Sequence, residues 1–212
     1  MKKILISAGD PSGDEHASHI VKELQKSSSD IEIFGMGGTH LRAAGVQTVV
    51  DSEKDASVMG STDVLKALPR LIKALNTLTR EIKDKKPDLV FLVDYQEFNM
   101  LLAKRAKKLG IKTFFFIAPS IWAWRAGRVK NFIKYIDQLA VIFPFEKELF
   151  QMSGYATVHY VGHPLADNVD AYKITDDEKQ LLKKKWSIPE GCLLYTSPSP
   201  RDQRGSRMPS SA

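Results

Sequence analysis

Short apolar runs alternate with amphipathic stretches along most of this chain. An apolar run bounded by Pro, Gly or Asp predicts a buried strand, whereas apolar residues recurring every three or four positions predict a helix. The predicted strands are residues 3–8, 31–34, 46–50, 89–93, 113–117, 138–142 and 157–161. Because strands and helices alternate, the pattern predicts an α/β fold, a Rossmann-like parallel sheet with helices on both faces.

Two helix boundaries depend on single residues. Asp14 follows a turn rich in Gly and Pro, so we expect it to cap the first helix. A longer helical pattern begins at Ser61 or Thr62, and we expect Pro69 to restart it, because proline is tolerated in a first turn and not in an interior.

The central strand, residues 89–93, ends abruptly at Asp94. In open α/β sheets, ligands bind beyond the carboxyl ends of the strands. An aspartate there, in apolar surroundings, can have its pKa raised toward a value useful for a general base. Asp94 is therefore the leading candidate, and Glu97 is placed to tune it or to cap the next helix. The structural alternative is a strand-end residue without a chemical role.

The first turn, residues 8–14, carries Asp10 and Asp14. It lacks both the G-x-G-x-x-G fingerprint of dinucleotide-binding folds and the phosphate-binding P-loop pattern. Two carboxylates suit sugar hydroxyls, backbone amides or a catalytic role better than a pyrophosphate. The alternative is that Asp14 is a helix cap and Asp10 a turn residue. A second glycine turn, residues 35–38, follows the next strand, and it allows close backbone approach to a ligand.

Further candidates follow the later strands. Trp122 and Trp124 can stack on a sugar ring or cover an acyl chain, and Arg125 and Arg128 can bind a phosphate. His163 follows the last strand and can hydrogen-bond a substrate. The alternatives are core tryptophans and a structural histidine.

Composition narrows the class of protein. The 212 residues are 43% hydrophobic and 26% charged, as is usual for a soluble globular protein, and the formal net charge is +6. That charge favours anionic partners, namely nucleic acid, a membrane surface or phosphorylated substrates, although a modest excess of lysine can simply solvate helix faces. The sequence has no apolar run of about 18 residues and no signal peptide, so a cytoplasmic location is expected. The single cysteine, Cys192, excludes an intrachain disulfide.

The basic stretch 61–86 also has an apolar stripe. A basic amphipathic helix fits contact with a membrane surface. The alternative is a helix that packs on the sheet and has a solvated polar face.

Taken together, these motifs resemble one family, the lipid-A-disaccharide synthases. The motifs that carry the resemblance are residues 8–14, 35–38, 59–60 with 64–65, 94–99, 119–125, 144–147 and 162–167. The segment 120–125 (SIWAWR) is the most diagnostic. Two departures are that Asp10-Pro11 stands where the family usually has Glu-Ala, and that Glu97 replaces an aspartate.

The resemblance implies the amino-terminal domain of a GT-B glycosyltransferase. It implies an inverting transfer from UDP-2,3-diacylglucosamine to 2,3-diacylglucosamine 1-phosphate, with release of UDP. Asp94 would remove a proton from the acceptor 6-hydroxyl. The resemblance implies a location peripheral to the inner membrane. It implies no cofactor, no metal and no nucleic-acid partner.

The resemblance also assigns roles to individual residues. The catalytic residue is Asp94. The substrate-binding residues are Asp10, Ser12, Asp14, Gly37, Gly38, Glu97, Asn99, Ser120, Trp122, Trp124, Arg125 and His163. The membrane-facing residues are Val64, Leu65, Leu68, Leu71, Ile72 and Leu75.

We expect three regions. Residues 1–172 form the Rossmann-like acceptor-side domain, and residues 173–191 begin a connection to an absent domain that binds the UDP-sugar. Residues 192–212 have a composition unable to bury a core and resemble translated adapter sequence, so we expect a disordered, non-native tail. The chain alone is therefore expected to be inactive.

Two other functions compete with the transferase. A nucleotide-dependent oxidoreductase would need the dinucleotide loop that is missing here. A basic α/β module that binds acidic lipid or nucleic acid without catalysis would fit the net charge.

Overall fold

The computed structural model describes residues 1–28, 30–56, 63–118, 129–166 and 175–189. The chain divides into two compact units, Met1–Ala166 and Asp167–Ala212. The first unit contains the sheet and every element discussed below except the last helix. The predicted tail, residues 192–212, lies outside the described residues.

Seven parallel strands form one sheet in the order β3-β2-β1-β4-β5-β6-β7. The strands are β1 (Lys2–Ala8), β2 (Ile31–Gly37), β3 (Gln47–Asp51), β4 (Leu89–Val93), β5 (Lys112–Phe116), β6 (Gln138–Val141) and β7 (Val158–Tyr160). Every predicted strand is present, and each bound lies within three residues of the predicted one. β1 and β4 lie side by side at the centre, so Ala8 pairs with Val93.

Helices cover both faces of the sheet. The helices of the first unit are α1 (Pro11–Ser27), α2 (Thr39–Ala43), α3 (Asp63–Lys85), α4 (Gln96–Lys108), α5 (Val129–Tyr135) and α6 (Pro144–Met152), and a π-helical turn covers Ser52–Ala56. Alternate strand residues point into different cores: Leu5 and Leu92 meet α3 to α6, whereas Ile6 and Phe91 meet α1 and α2. None of the described helices is both long enough and apolar enough to cross a bilayer.

Two predicted helix boundaries are wrong. Helix α1 begins at Pro11 with Asp10 as its N-cap, because the Asp10 side chain accepts from the Gly13 amide and Pro11 suits the first helical position. Helix α3 runs through Pro69 without restarting. A proline inside a helix costs about 3 kcal/mol or more. Burial of Ala74, Leu78 and other residues of α3 offsets that cost.

The second unit has one described helix, α7 (Asp176–Lys185). Its N-terminus carries a capping box, in which Thr175 accepts from the Glu178 amide and the Glu178 carboxylate accepts from the Thr175 amide. Its three first-turn acidic residues and three last-turn lysines match the helix dipole.

Parallel pairing places all strand carboxyl ends at one rim of the sheet. The turns after β1, β2, β4 and β7 carry Asp10, Gly38, Asp94 and His163 respectively. β2 reaches the rim after a register shift at Gly35, where φ is 145° and an added Cβ would lie 2.0 Å from the Ile6 carbonyl oxygen. Only glycine fits there. Gly35 therefore allows β2 to pack closely on β1, in addition to beginning the glycine turn at the rim.

Candidate active site

Asp94 lies directly after β4 in a left-handed backbone conformation, with φ of 45°, and Tyr95 repeats that φ. Such a conformation costs a non-glycine residue about 1–3 kcal/mol, and residues that adopt it cluster at functional sites. Burial raises the pKa of the Asp94 carboxyl, the negative charge of Asp10 raises it further, and a hydrogen bond from the Tyr95 amide acts in the opposite direction. These surroundings favour a carboxylate that readily accepts a proton.

Asp10 is the neighbouring carboxylate on the turn after β1. Its Oδ2 accepts from the Ser12 hydroxyl and from the Gly13 amide, the latter at 3.0 Å. Its Oδ1 is buried and has no hydrogen-bond partner among the described residues. A buried carboxylate oxygen without a donor is unfavourable, so Oδ1 is ready to accept from a ligand hydroxyl.

Asp14 is buried, with 1% of its surface exposed. Its carboxylate accepts from the backbone amides of Gly38 at 2.6 Å and His40 at 2.8 Å, and more weakly from Leu41 at 3.4 Å. These contacts join α1 to the amino terminus of α2, whose own cap residue supplies no side-chain bond. The predicted substrate-binding residues Asp14, Gly37 and Gly38 therefore lie together, and Asp14 holds the glycine turn in place.

Asn99 is also fully buried. Its amide nitrogen lies 2.7 Å from the Asp94 carbonyl oxygen and 3.1 Å from that of Val93, and its Oδ1 accepts from the Ser7 hydroxyl at 2.7 Å. Although predicted to bind substrate, Asn99 contacts the backbone that carries Asp94.

His163 follows β7, and its Nδ1 accepts from the Leu165 amide at 3.2 Å. Its ring lies 5.5 Å from that of Phe143. The charges of His163 and Asp10 both act on His16 of α1, whose pKa is lowered mainly by burial. The structure thus brings His163 to the same side of the site as Asp10.

The predicted tryptophan loop lies outside the described part of the chain. Ser120, Trp122, Trp124 and Arg125 lie outside the described residues, as does Arg128. Ser12 and Glu97 are exposed at the rim.

An apolar pocket of about 400 Å³ opens between α3 and the start of α4. Its walls are Leu68, Leu71, Ile72, Leu75, Tyr95, Gln96, Glu97, Phe98 and Leu101. Leu68, Ile72 and Leu101 are about half exposed, whereas Leu75 is buried. Four of the predicted membrane-facing residues therefore line one cavity. For Val64 and Leu65 the structure describes the helix backbone and not the side chains.

Tyr95 joins this pocket to the carboxylates. It follows Asp94 directly, lines the pocket, and packs on Gly9 so closely that an added Cβ there would lie 2.1 Å from its ring. Burial raises the pKa of the Tyr95 hydroxyl, and the negative charge of Asp10 raises it further. Sequence reasoning missed Tyr95, Ser7 and His16. For Tyr95 a signal existed, since it lies between two predicted site residues.

The arrangement places two carboxylates beside an apolar cavity on one rim of the sheet. Asp94 can take up a proton and Asp10 can accept a hydrogen bond from a hydroxyl, while the cavity can hold an alkyl chain. A molecule with a polar hydroxyl-bearing part and an apolar part matches both features.

Comparison with known proteins identifies the family. The family model described as lipid-A-disaccharide synthetase matches residues 4–197. The lipid-A-disaccharide synthase of Geobacter metallireducens is 48% identical over 168 residues, covering 79% of this chain and 43% of that protein. The lipid-A-disaccharide synthase of Coxiella burnetii (strain Dugway 5J108-111) is 42% identical over 203 residues, covering 95% of this chain and 52% of that protein.

Solved structures agree on the fold. The UDP-GlcNAc 2-epimerase of Neisseria meningitidis superposes with a TM-score of 0.57 at 15% identity, covering 89% of this chain and 54% of that chain. The structure of Anabaena Alr3699/HepE superposes with a TM-score of 0.52 at 13% identity, covering 88% of this chain and 50% of that chain. The predicted fold, a Rossmann-like domain of the GT-B type, is confirmed.

The chain spans about half the length of the curated relatives it matches. Within that span, the family match covers the central strand, both glycine turns and the carboxylates at the rim. The resemblance based on the sequence motifs is confirmed, and the chain belongs to the lipid-A-disaccharide synthetase family.

Proposed function

We propose that this chain is the acceptor-side half of a glycosyltransferase of lipid A biosynthesis. The full enzyme would transfer 2,3-diacylglucosamine from its UDP derivative to 2,3-diacylglucosamine 1-phosphate. The observation that carries the proposal is a half-buried carboxyl, Asp94, whose pKa is raised beside an apolar pocket in a chain of this family.

In the proposed reaction Asp94 acts as the general base. It takes the proton of the acceptor 6-hydroxyl while that oxygen attacks the anomeric carbon of the donor. The bond from that carbon to the diphosphate breaks, UDP leaves with the bonding pair, and the configuration inverts. A base with a pKa raised toward neutrality is well matched to this task.

The remaining rim groups would orient the acceptor sugar. Asp10 Oδ1 is buried without a donor among the described residues, so a sugar hydroxyl can satisfy it. Ser12 and Glu97 offer further polar contacts, and His163 lies on the Asp10 side of the site. Asp14, Gly37 and Gly38 would act by shaping the turn, because the Asp14 carboxylate is already bonded to backbone amides.

We further propose that α3 lies against the inner membrane. Leu68 and Ile72 on α3 and Leu101 on α4 expose apolar surface at the mouth of the pocket. Arg70, Lys73 and Arg80 lie on the same helix, where they can meet anionic headgroups. An acyl chain leaving the bilayer there would enter the cavity while its sugar reaches Asp94.

The UDP-sugar would bind to a second domain, which the relatives' greater length can supply. Residues 173–191 would begin the connection to it. The test therefore uses a full-length protein that carries this half. The protein is supplied with donor and acceptor, and the products are analysed by mass spectrometry. Disaccharide 1-phosphate should form with the full-length protein and not with the 212-residue chain. Product from the 212-residue chain, or none from an intact full-length protein, would overturn the proposal.

A basic lipid-binding module without catalysis is the second candidate, since the pocket and the basic helix favour lipid contact. Vesicle flotation with anionic phospholipid tests the membrane part. Replacing Leu68 and Ile72 with Gln should weaken binding, whereas the same change at Leu181 of α7, also exposed, should not. Equal effects would contradict membrane contact through α3. A module would keep its cellular activity with Asp94→Asn, and an enzyme would lose it.

A further inference from the structure

Asp94 and Tyr95 both have φ of 45°, and neither is glycine. Two consecutive left-handed residues do not hold this conformation by local preference. Contacts from elsewhere in the fold must stabilise the turn. The described contacts that reach the Asp94 carbonyl come from Asn99 of α4.

The Asn99 side chain joins two backbone segments, β1 and the end of β4 with the turn that follows it. Its Nδ2 lies 2.7 Å from the Asp94 carbonyl oxygen, 3.1 Å from that of Val93 and 3.3 Å from that of Ser7. The backbone amide of Asn99 donates to the Tyr95 carbonyl oxygen at 3.1 Å. The Asn99 side chain therefore binds β1, the end of β4 and the first left-handed residue, Asp94, while its backbone amide binds the second, Tyr95.

The carbonyl oxygens fix which way this amide points, and Ser7 supplies the donor for its oxygen. The Ser7 hydroxyl donates to Asn99 Oδ1 at 2.7 Å, and both residues are fully buried. With the amide reversed, Oδ1 would face three carbonyl oxygens and Nδ2 would face the hydroxyl. The observed orientation satisfies every polar atom of the Asn99 side chain inside the protein.

We propose that Ser7 and Asn99 are positioning residues, which hold the Asp94–Tyr95 turn in its left-handed form and so present the Asp94 carboxyl to the acceptor. This inference rests on the proposed function, and it removes Asn99 from the residues that touch substrate. Since the side chain is 0% exposed, a substrate has no access to it.

The first test is made on the 212-residue chain by NMR, with the Asp94 carboxyl carbon followed against pH. Ser7→Ala deletes one oxygen and preserves the strand, so the fold is retained. We expect the Asp94 backbone shifts to leave the left-handed range and the carboxyl midpoint to fall toward the ordinary aspartate value, because the released carboxyl gains solvent. Unchanged backbone shifts and an unchanged midpoint would overturn the proposal.

The matched control is Thr113→Val. Thr113 is also fully buried, and its hydroxyl donates to the Tyr135 carbonyl at 2.8 Å near the start of β5, away from the carboxyl rim. It should leave the Asp94 titration unchanged. A midpoint that moves as far in Thr113→Val as in Ser7→Ala would show general loosening and would refute a specific role.

The second test uses steady-state kinetics of a full-length protein. Ser7→Ala should lower kcat by ~10- to 100-fold, since small misplacements of a reacting group have effects of this order. The KM for the acceptor should stay within about twofold, whereas loss of a substrate contact would raise it. A raised KM with unchanged kcat would contradict the inference. If Asp94→Asn keeps full activity, the proposed function fails, while the NMR result still decides whether Ser7 and Asn99 hold the turn.

Discussion

Removing the Asp14 carboxylate should destabilise the fold more than any surface charge. The two shorter bonds, from the amides of Gly38 at 2.6 Å and His40 at 2.8 Å, would be lost in Asp14→Ala. A hydrogen bond to a charged group contributes about 1.5–3 kcal/mol. Because His40 is exposed, its amide can bind water instead. We therefore take each of the two bonds at the lower end of that range, about 1.5 kcal/mol, and expect a total loss of about 3 kcal/mol.

Urea denaturation at constant pH is the appropriate assay. With a denaturant slope of about 2 kcal/mol per M, the midpoint should fall by roughly 1.5 M. Asp88→Ala is the matched control. Like Asp14, Asp88 accepts a hydrogen bond from a backbone amide, that of Lys3 at 2.8 Å, but Asp88 is exposed. Asp88→Ala should shift the midpoint far less than Asp14→Ala, because the charge of Asp88 is exposed to solvent. A loss in Asp14→Ala no larger than in Asp88→Ala would refute the view that Asp14 holds the glycine turn.

Three further predictions concern the rim. Gly9→Ala would place a Cβ 2.1 Å from the Tyr95 ring, so overpacking should lower stability by about 1–3 kcal/mol in urea, and an unchanged midpoint would contradict that contact. Asp10→Asn should lower the pKa of both Asp94 and Tyr95, since the Asp10 charge raises each, and pKa values that stay unchanged in an NMR titration would contradict the proximity of the two carboxyls. Asp94→Asn should stabilise the fold at pH 7. Because the pKa of Asp94 is raised in the folded protein, wild-type stability is lost as pH rises from the ordinary aspartate value through the raised one. The gain in the variant should therefore vanish below about pH 3, and a variant that is less stable than wild type at pH 7 would refute the assignment.

The strands could be predicted because the central ones are buried on both faces and read as continuous apolar runs. β4, residues Leu89–Val93, matches its predicted bounds, and its position next to β1 brings Asp94 to Asp10 as a parallel sheet requires. The rim location of the carboxylates followed from this topology alone.

Other features depend on tertiary contacts that a linear pattern does not contain. Pro69 lies within α3, a helix held by packing against the sheet. The roles of the two aspartates in the first turn were exchanged, because Asp14 reaches α2, which lies 24 or more residues further along the chain. The left-handed form of Asp94 is likewise invisible in the sequence, since its stabilising partners are Asn99 and Ser7.

The apolar pocket shows the same limit. The stripe on α3 was recognised from its spacing, but the second wall comes from α4, including Phe98 and Leu101. Arg105 of α4 donates to Asn76 at 2.8 Å and to Thr79 at 3.0 Å, which fixes the two helices side by side. The sequence indicated an apolar face, and the packing of α4 beside it makes a cavity.

The most direct test of the account is the turnover of Asp94→Asn in a full-length protein that carries this half. A missing general base should reduce kcat by about 10²- to 10⁴-fold, while acceptor binding, measured separately, stays close to that of wild type because the pocket and Asp10 are intact. Turnover within a factor of about two of wild type, in a variant that is folded and binds acceptor, would contradict the role of Asp94 as the base.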